Sequence, residues 1–256
     1  MLSLFKMKMS YCSWDFSVWD KYNAVQAVVE ARKARTFLDL HGEKYAKFLW
    51  IKTRKKISIY TRFIEFQIPR NVKIKYFLSC LPWNVFNEVY AERSDEFFEK
   101  RAHRVLPKSG IDVVLIDGDH SYQQTMKDVD NCLRYLNDDG VIVMHDCSPA
   151  SEISATPSKD IHTATESLKH RPEWTGAWSG DTWRAIVHLR SSRPDLHIFV
   201  LDVDCGLGII SKGKPENMLA FTEEEIMKMT YRDLDKDRAQ ILNLKHQSYL
   251  AQFLSA

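Results

Sequence analysis

Acids and imidazoles follow two apolar segments of the chain. Asp117, Asp119 and His120 come directly after the run 111–116, and His145-Asp146 follows the run 141–144. Both runs are nearly continuous in apolar, β-branched residues, which is typical of parallel strands buried on both faces. Only one predicted helix separates them, so we expect the two strands to be neighbours. Their carboxylates and imidazoles should then converge at one edge of a sheet.

Carboxylates held this close repel each other unless a cation or a proton lies between them. A hard divalent ion such as Mg²⁺ prefers oxygen ligands, and it lowers the pKa of a hydroxyl bound to it. We therefore predict Asp117, His145 and Asp146 as metal ligands. His120 or His145 is the predicted catalytic base, because an imidazole can take up a proton near neutral pH. The alternative that Asp117 and Asp146 only cap the turns that follow them stays open.

The elements that must position these residues alternate between strands and helices. Short strands are predicted at 36–40, 57–59, 89–91, 111–116, 141–144, 197–201 and 207–210. Such alternation predicts an α/β fold with an open, doubly wound, mostly parallel sheet. The last two strands are too close in sequence for a crossover helix, so they should pair antiparallel. Residues 64–86, broken by Pro69 and Pro82, are predicted to be an irregular insertion.

Three regions are predicted along the chain. Residues 1–33 form an N-terminal helical and aromatic segment, 34–211 the α/β domain, and 212–256 a C-terminal helical extension. The extension reads as helical over 222–254. Thr222 and Glu225 have the spacing of a capping box at its start.

Composition restricts the class of protein. The 256 residues are 45% hydrophobic and 27% charged, which is ordinary globular composition and excludes a disordered chain. No apolar run approaches the ~18 residues of a membrane helix, so no membrane partner is predicted. Lys6, Lys8 and Asp15 interrupt any secretory signal. The five cysteines include no C-x-x-C pair, which favours neither disulfides nor a cysteine zinc site and leads us to expect a cytoplasmic protein.

One stretch of the chain is strongly basic. Residues 44–76 hold ten Lys and Arg against a single acid, Glu65. This stretch is either a solvated face or a docking surface for an anionic partner. It carries no recognised nucleic-acid motif, so no nucleic acid is predicted as a partner. A homo-oligomer is compatible with the sequence.

The segment 110–147 resembles class I S-adenosylmethionine-dependent methyltransferases. It is most similar to the small-molecule O-methyltransferases of the macrocin type and of the methyltransferase domain 24 group. The motif consists of Ile116–Tyr122, then Asp128, then Gly140–Asp146. The resemblance extends over about residues 34–211 and is specific in the second half. It implies a Rossmann-like, seven-stranded sheet with one antiparallel strand, in agreement with the strands predicted above.

The same resemblance implies a set of cofactor-binding residues. They are Asp39, His41, Gly42, Tyr60, Ser94, Asp95 and Asp117. The family's loop after the first strand reads acid-x-Gly-x-x-x-Gly, but His41 and Tyr45 stand where its glycines would be, and Gly42 is shifted by one. Tyr60 stands where the family has an acid that grips both ribose hydroxyls, and a tyrosine cannot accept two such hydrogen bonds.

Three hypotheses for the function follow. The first is an S-adenosylmethionine-dependent, Mg²⁺-assisted O-methyltransferase acting on a small-molecule hydroxyl acceptor, a sugar or a secondary metabolite. The second is a non-catalytic relative that keeps the fold as a binding or assembly protein, which the altered loop favours. The third is a metal-dependent hydrolase using the acid and histidine cluster, which would bind a metal without requiring a nucleoside.

Overall fold

Buried apolar strands form a single sheet at the centre of the molecule. The computed structural model describes residues 19–40, 48, 50–59, 73–76 and 86–255. The strands are β1 (Thr36–Leu40), β2 (Lys55–Ile59), β3 (Lys73–Tyr76), β4 (Phe86–Tyr90), β5 (Ile111–Ile116), β6 (Leu136–Met144), β7 (Leu196–Leu201), β8 (Leu207–Lys212) and β9 (Leu244–Lys245).

The order across the sheet is β3-β4-β2-β1-β5-β6-β8-β7-β9. Strands β4, β2, β1, β5 and β6 are mutually parallel, whereas β8 runs antiparallel to both β6 and β7. The predicted Rossmann-like core of seven strands with one antiparallel member is confirmed.

Two edge strands raise the count from the predicted seven to nine. β3 pairs antiparallel with β4, and the two-residue β9 pairs parallel with β7. β3 lies inside the segment 64–86 that we predicted to be irregular. Four and two residues are too short to show a periodic pattern in sequence, which is why neither strand was predicted.

Helices cover both faces of the sheet. They are α1 (Lys21–Ala31), α2 (Ser94–Lys100), α3 (Ala102–Val105), α4 (Tyr122–Leu133), α5 (Ile161–Leu168), α6 (Trp183–Ser192), α7 (Glu223–Lys228), α8 (Tyr231–Lys236), α9 (Arg238–Ile241) and α10 (Tyr249–Ser255). α1 and α10 pack in the apolar cluster on one face, and α2, α4 and α6 pack in the cluster on the other. Within the described ranges, no helix is long and apolar enough to cross a bilayer.

The C-terminal part of the chain differs from the prediction. The expected helix over 222–254 is divided into α7 to α10 with β9 between them. The capping box of Thr222 and Glu225 is present, and a second one, of Thr230 and Asp233, starts a new helix and so ends the first. Residues 1–18 lie outside the described part, so α1 and its flanking residues are what is seen of the N-terminal segment.

Register places the functional residues at one edge. Leu40 of β1 pairs with Ile116 of β5, which pairs with Met144 of β6. The next residue of each strand continues this hydrogen-bond pattern. The N–H of Asp117 donates to the carbonyl of Leu40, and the N–H of His145 donates to the carbonyl of Ile116. The carboxyl ends of the three strands therefore meet.

Candidate active site

Asp117, His145 and Asp146 converge where β5 and β6 end. Nδ1 of His145 lies 3.0 Å from Oδ1 of Asp117 and 2.8 Å from Oδ2 of Asp146. Both neighbours are acceptors, so Nδ1 carries the proton. Burial opposes the charged form of His145, but Asp146 and then Asp117 outweigh it and raise its pKa well above the ordinary value. His145 thus bridges two carboxylates that would otherwise repel each other.

His120 approaches the same carboxylates from the other side. Its Nε2 lies 3.4 Å from Oδ1 of Asp117 and 3.3 Å from Oδ2 of Asp146. Its Nδ1 donates to the carbonyl of Trp178 at 2.9 Å, and the two rings stack with centroids 5.3 Å apart. Burial lowers the pKa of His120, yet Asp146 and Asp117 raise it by more. The ring is therefore fixed with Nε2 directed at the acids.

Lys21, the first residue of α1, also reaches the cluster. Its Nζ contacts Oδ2 of Asp117 and lies 3.5 Å from Nδ1 of His145. Burial disfavours the ammonium charge, but Asp117, with Asp146 and Asp204, outweighs that effect and raises the pKa of Lys21. The sequence analysis missed this residue. A signal was available, because a helix that precedes β1 and packs antiparallel to it begins at the carboxyl edge.

Two further acids surround this group. Oδ2 of Asp204 accepts from the backbone N–H of Lys21 at 2.8 Å and lies 3.4 Å from Nε2 of His145. Asp39 of β1 is fully buried, and neither of its carboxylate oxygens has a hydrogen-bond partner among the described residues. Burial, with a contribution from Asp117, raises the pKa of Asp39 to about 8.

The donor set fits a cation. Asp117, His120 and Asp146 each offer a ligand atom, and these atoms lie within 4.8 Å of one another. Two carboxylates and an imidazole suit Mg²⁺ or Mn²⁺ with waters at the remaining positions. His145 reaches the same two carboxylates through Nδ1, so the predicted set of Asp117, His145 and Asp146 stays a prediction beside this one. The orphaned carboxylate of Asp39 likewise fits a positively charged ligand group.

A cleft opens beside this cluster, at the ends of β1 and β2. It is lined by Leu40, Ile59, Arg93, Ser94, Gly118, Asp119, Gln124 and Asp128. The amide of Gln124 connects two of these residues with Asp95, donating to Ser94 at 3.3 Å and to Asp95 and Asp128 at 3.1 Å each. Burial raises the pKa of Asp128 to about 7. The cleft combines apolar walls with carboxylate and amide oxygens.

The remaining predicted cofactor residues fall in two groups. Ser94 and Asp95 lie at the start of α2 beside the cleft, whereas His41, Gly42 and Tyr60 lie outside the described residues. Ser94 is the first helical residue, and Arg93 occupies the cap position. The hydroxyl of Ser94 accepts a hydrogen bond from Gln124. The sequence analysis did not single out Gln124, although it lies in the first turn of the helix that follows Asp117–His120.

The backbone around the cluster is strained. His120, Asp146 and Asp204 have φ values of 50°, 60° and 50°, in the left-handed region that non-glycine residues rarely adopt. Gly180 holds one of these turns, because a Cβ there would lie 2.1 Å from the carbonyl oxygen of His120. Left-handed residues of this kind are concentrated at functional sites, where the surrounding structure holds them.

Several solved structures are similar to this chain. A putative caffeoyl-CoA O-methyltransferase from Staphylococcus aureus has a TM-score of 0.49 at 14% identity, with 75% of this chain and 82% of that chain covered. The O-methyltransferase TomG from Streptomyces achromogenes has a TM-score of 0.49 at 11% identity, with 75% and 79% covered. An O-methyltransferase from Bacillus cereus has a TM-score of 0.47 at 13% identity, with 73% and 79% covered.

A search of curated protein sequences gives no match. A family model described as a methyltransferase domain, however, matches residues 16–147, which is just over half of the chain. The match extends from before α1 to the residue after Asp146, so it includes Lys21, Asp39, Asp117 and His120 along with both strands that end in the cluster. The resemblance drawn from the motif at 116–146 is thereby confirmed, and the chain belongs to the methyltransferase domain family.

Proposed function

We propose that this protein transfers the methyl group of S-adenosylmethionine to a hydroxyl of a small-molecule acceptor. The observation that carries the proposal is the buried cluster of His120, Asp117 and Asp146 at the carboxyl edge, with an open cleft directly beside it. Ligands of doubly wound sheets bind at that edge. Imidazole and carboxylate groups are suited to taking a proton from a hydroxyl.

S-adenosylmethionine, when bound, supplies a methyl group on a positively charged sulfur. Its nucleoside part fits the cleft, where Leu40 and Ile59 offer apolar contacts and Ser94, Asp95 and Gln124 offer hydrogen bonds. Its cationic part fits the orphaned carboxylate of Asp39. Burial keeps Asp39 protonated at neutral pH in the free protein, so a cationic ligand should favour its ionised form.

The acceptor hydroxyl is proposed to lie next to Nε2 of His120. Nδ1 of this ring already donates to Trp178, so loss of a proton from Nε2 leaves a lone pair directed at the cluster. Asp117 and Asp146 stabilise the imidazolium that forms when the hydroxyl proton is taken. The stacked Trp178 and the hydrogen-bonded His145 hold these groups in position.

A divalent ion, if it assists, would be held by Asp117, Asp146 and His120 or His145, and would lower the pKa of the acceptor hydroxyl. In that case the proton acceptor would be whichever imidazole does not ligate the ion. The identity of the acceptor, a sugar hydroxyl or one on a secondary metabolite, is the part of the proposal that rests on family resemblance.

Calorimetry with S-adenosylhomocysteine tests the cofactor step. We expect binding to the wild type and a roughly tenfold or greater loss in Gln124→Leu, because the amide that organises Ser94, Asp95 and Asp128 is removed. Gln123→Leu is the matched control, since Gln123 is the exposed neighbour on the same helix. The control should bind like the wild type.

No heat with the folded wild type at millimolar S-adenosylhomocysteine would defeat the proposal. It would favour the non-catalytic alternative suggested by His41 and Tyr45, which stand where the family has glycines. If binding is found, transfer of a labelled methyl group to a panel of sugar and phenol acceptors tests the reaction itself. Metal binding without any S-adenosylhomocysteine binding would instead favour the hydrolase hypothesis.

A further inference from the structure

We infer that the ammonium of Lys21 is the resident cation of the acidic cluster, lying against Asp117 where a divalent ion would otherwise bind, so that such an ion binds only in competition with it. The inference refines the proposed function and rests on it for the role of the cluster. It concerns a residue on α1, the helix before the first strand, and not the strand-end motifs.

Both oxygens of Asp117 are already engaged. Lys21 contacts Oδ2, while Oδ1 faces Nδ1 of His145 at 3.0 Å and Nε2 of His120 at 3.4 Å. A divalent ion that used Asp117 as a ligand would have to displace one of these groups. Lys21 is the one on Oδ2, the oxygen that neither imidazole uses, so an ion that took its place would leave both histidine contacts intact.

The charges around Lys21 require a cation. Asp117, Asp146 and Asp204 all interact electrostatically with it, and the first two are only 4% exposed. Among the lysines and arginines in the described part of the chain, only Lys21 has a side chain that contacts Asp117 or Asp146. Buried acids of this number are stable only when positive charge is close by.

The cluster has more oxygen ligands than the ammonium uses. Asp117 and Asp146 each offer a carboxylate oxygen to the group of converging ligand atoms, whereas the ammonium of Lys21 contacts Oδ2 of Asp117. Asp39 is also coupled to Lys21 and Asp117, but burial keeps it protonated in the free protein, so it adds no charge that the ammonium must balance.

The fold fixes Lys21 in this position. The Asp20 side chain accepts from the N–H groups of Tyr22 and Asn23, and the Asn23 side chain accepts from Asp20 in return, which defines the first turn of α1. Val25 and Val28 on the same helix are fully buried against the sheet. The ammonium is thus delivered by a capped, packed helix and not by a loose side chain.

Mn²⁺ binding to the purified protein, followed by the electron paramagnetic resonance of free Mn²⁺, tests the inference without any methyl donor. We expect Lys21→Met to bind Mn²⁺ at least about tenfold more tightly than the wild type. Lys21→Arg keeps the positive charge and should stay as weak as the wild type. Asp146→Asn added to Lys21→Met should reverse the gain, because it removes a ligand. Lys212→Met, which breaks an ion pair with Asp138 elsewhere on the molecule, should change nothing.

Wild-type protein that binds Mn²⁺ more tightly than about 10 µM would overturn the inference, whatever the variants do. So would a folded Lys21→Met with wild-type affinity. If circular dichroism shows Lys21→Met to be unfolded, Lys21→Gln, which can still hydrogen-bond to Asp117 without charge, replaces it with the same expectation. S-adenosylhomocysteine calorimetry on the same samples separates the two proposals, since its failure would defeat the methyltransferase function and leave the Mn²⁺ comparison valid.

Discussion

His120 is held so that one ring nitrogen is available for chemistry. The carbonyl of Trp178 can only accept, so it fixes a proton on Nδ1 and leaves Nε2 facing Asp117 and Asp146. The left-handed backbone at His120 and the stacked indole make this orientation costly to change. For the proposed methyl transfer, we therefore expect proton transfer to depend more on His120 than on His145, whose Nδ1 already donates to two carboxylates.

Replacing His120 with Gln should lower the rate of methyl transfer by roughly 100-fold or more, the usual range for loss of an acid–base group. We expect the affinity for S-adenosylhomocysteine to stay within about twofold, because the cleft lies beside the ring and does not include it. Steady-state kinetics and calorimetry measure the two effects separately. His103→Gln, an exposed position on α3, is the control. Unchanged turnover in His120→Gln would exclude His120 as the base.

Asp39 makes stability depend on pH in a direction opposite to that of a salt-bridged acid. Its pKa is about 8 in the folded protein against an ordinary value of 3.8, so the folded state retains a proton that the unfolded state has lost. The free energy of unfolding should therefore fall as pH rises from about 4 to about 8. Above pH 8, Asp39 should cause no further decrease.

Asp39→Asn removes this contribution, because the amide is neutral at every pH. Relative to the variant, the wild type should lose up to about 1.4 kcal/mol of unfolding free energy per pH unit between pH 5 and 8. Urea titrations at several pH values measure the difference. Asp202→Asn, at an exposed position, should track the wild type. A constant difference between Asp39→Asn and the wild type would contradict the assignment.

Sequence patterns could predict part of the site because strand ends are local features. Asp117 and His145-Asp146 each follow a run that is recognisable as a buried strand, and parallel neighbours bring their ends together. Strand ends alone do not identify Lys21, because the relevant signal is the direction of α1, which brings its first turn to the same edge of the sheet. Gln124 was missed for a similar reason. Two of its three partners, Ser94 and Asp95, lie 30 and 29 positions earlier in the chain, and only Asp128 lies on its own helix.

At the scale of elements, α6 anchors the C-terminal part of the chain through one buried side chain. Arg190 is 2% exposed. Its guanidinium donates to the carbonyls of Gln240 and Ile241, at the end of α9, at 2.6 and 2.5 Å, and it also contacts the side chain of Asn217. It thereby satisfies carbonyls that the helix end leaves without partners.

Arg190→Met should lower the free energy of unfolding by about 3 kcal/mol, because buried carbonyl oxygens lose their donor. The midpoint of urea unfolding measures this loss. Arg193→Met is the matched control: its ion pair with Asp195 is partly exposed, and its removal should cost less than about 1 kcal/mol. Equal effects of the two substitutions would show that Arg190 does not anchor the C-terminal helices.

The elements themselves were predicted unequally well. The central strands β5 and β6 contain long buried apolar runs, whereas β2 and β4 were predicted from three residues each. The antiparallel pairing of β7 and β8 follows from the short connection between them. The edge strands β3 and β9 owe their existence to pairing with β4 and β7, which no local pattern records. The interruption between α7 and α8 near Thr230 could have been predicted, since Thr230 and Asp233 have the same capping-box spacing as Thr222 and Glu225.

At the scale of the whole molecule, the last helix supports the first. α10 packs against α1, and α1 carries Lys21 to the acidic cluster. Phe253 of α10 packs edge-on against Phe199 of β7, with ring centroids 5.2 Å apart, and the guanidinium of Arg32, at the end of α1, lies 5.6 Å from the centroid of the Phe253 ring. The C-terminal extension is therefore part of the same packed unit as the methyltransferase sheet.

Phe253→Ala should lower the free energy of unfolding by about 2 kcal/mol, since a partly buried ring is lost from the face that α1 and α10 share. Arg32 marks the end of α1 opposite to Lys21, so the affinity for S-adenosylhomocysteine should stay at the wild-type value. Urea unfolding and calorimetry measure the two quantities. Phe221→Ala, at a side chain that is 37% exposed, should change stability by less than about 0.5 kcal/mol. Wild-type stability in Phe253→Ala would mean that the extension packs without contributing to the fold, and weakened ligand binding would mean that α1 transmits the loss to the site.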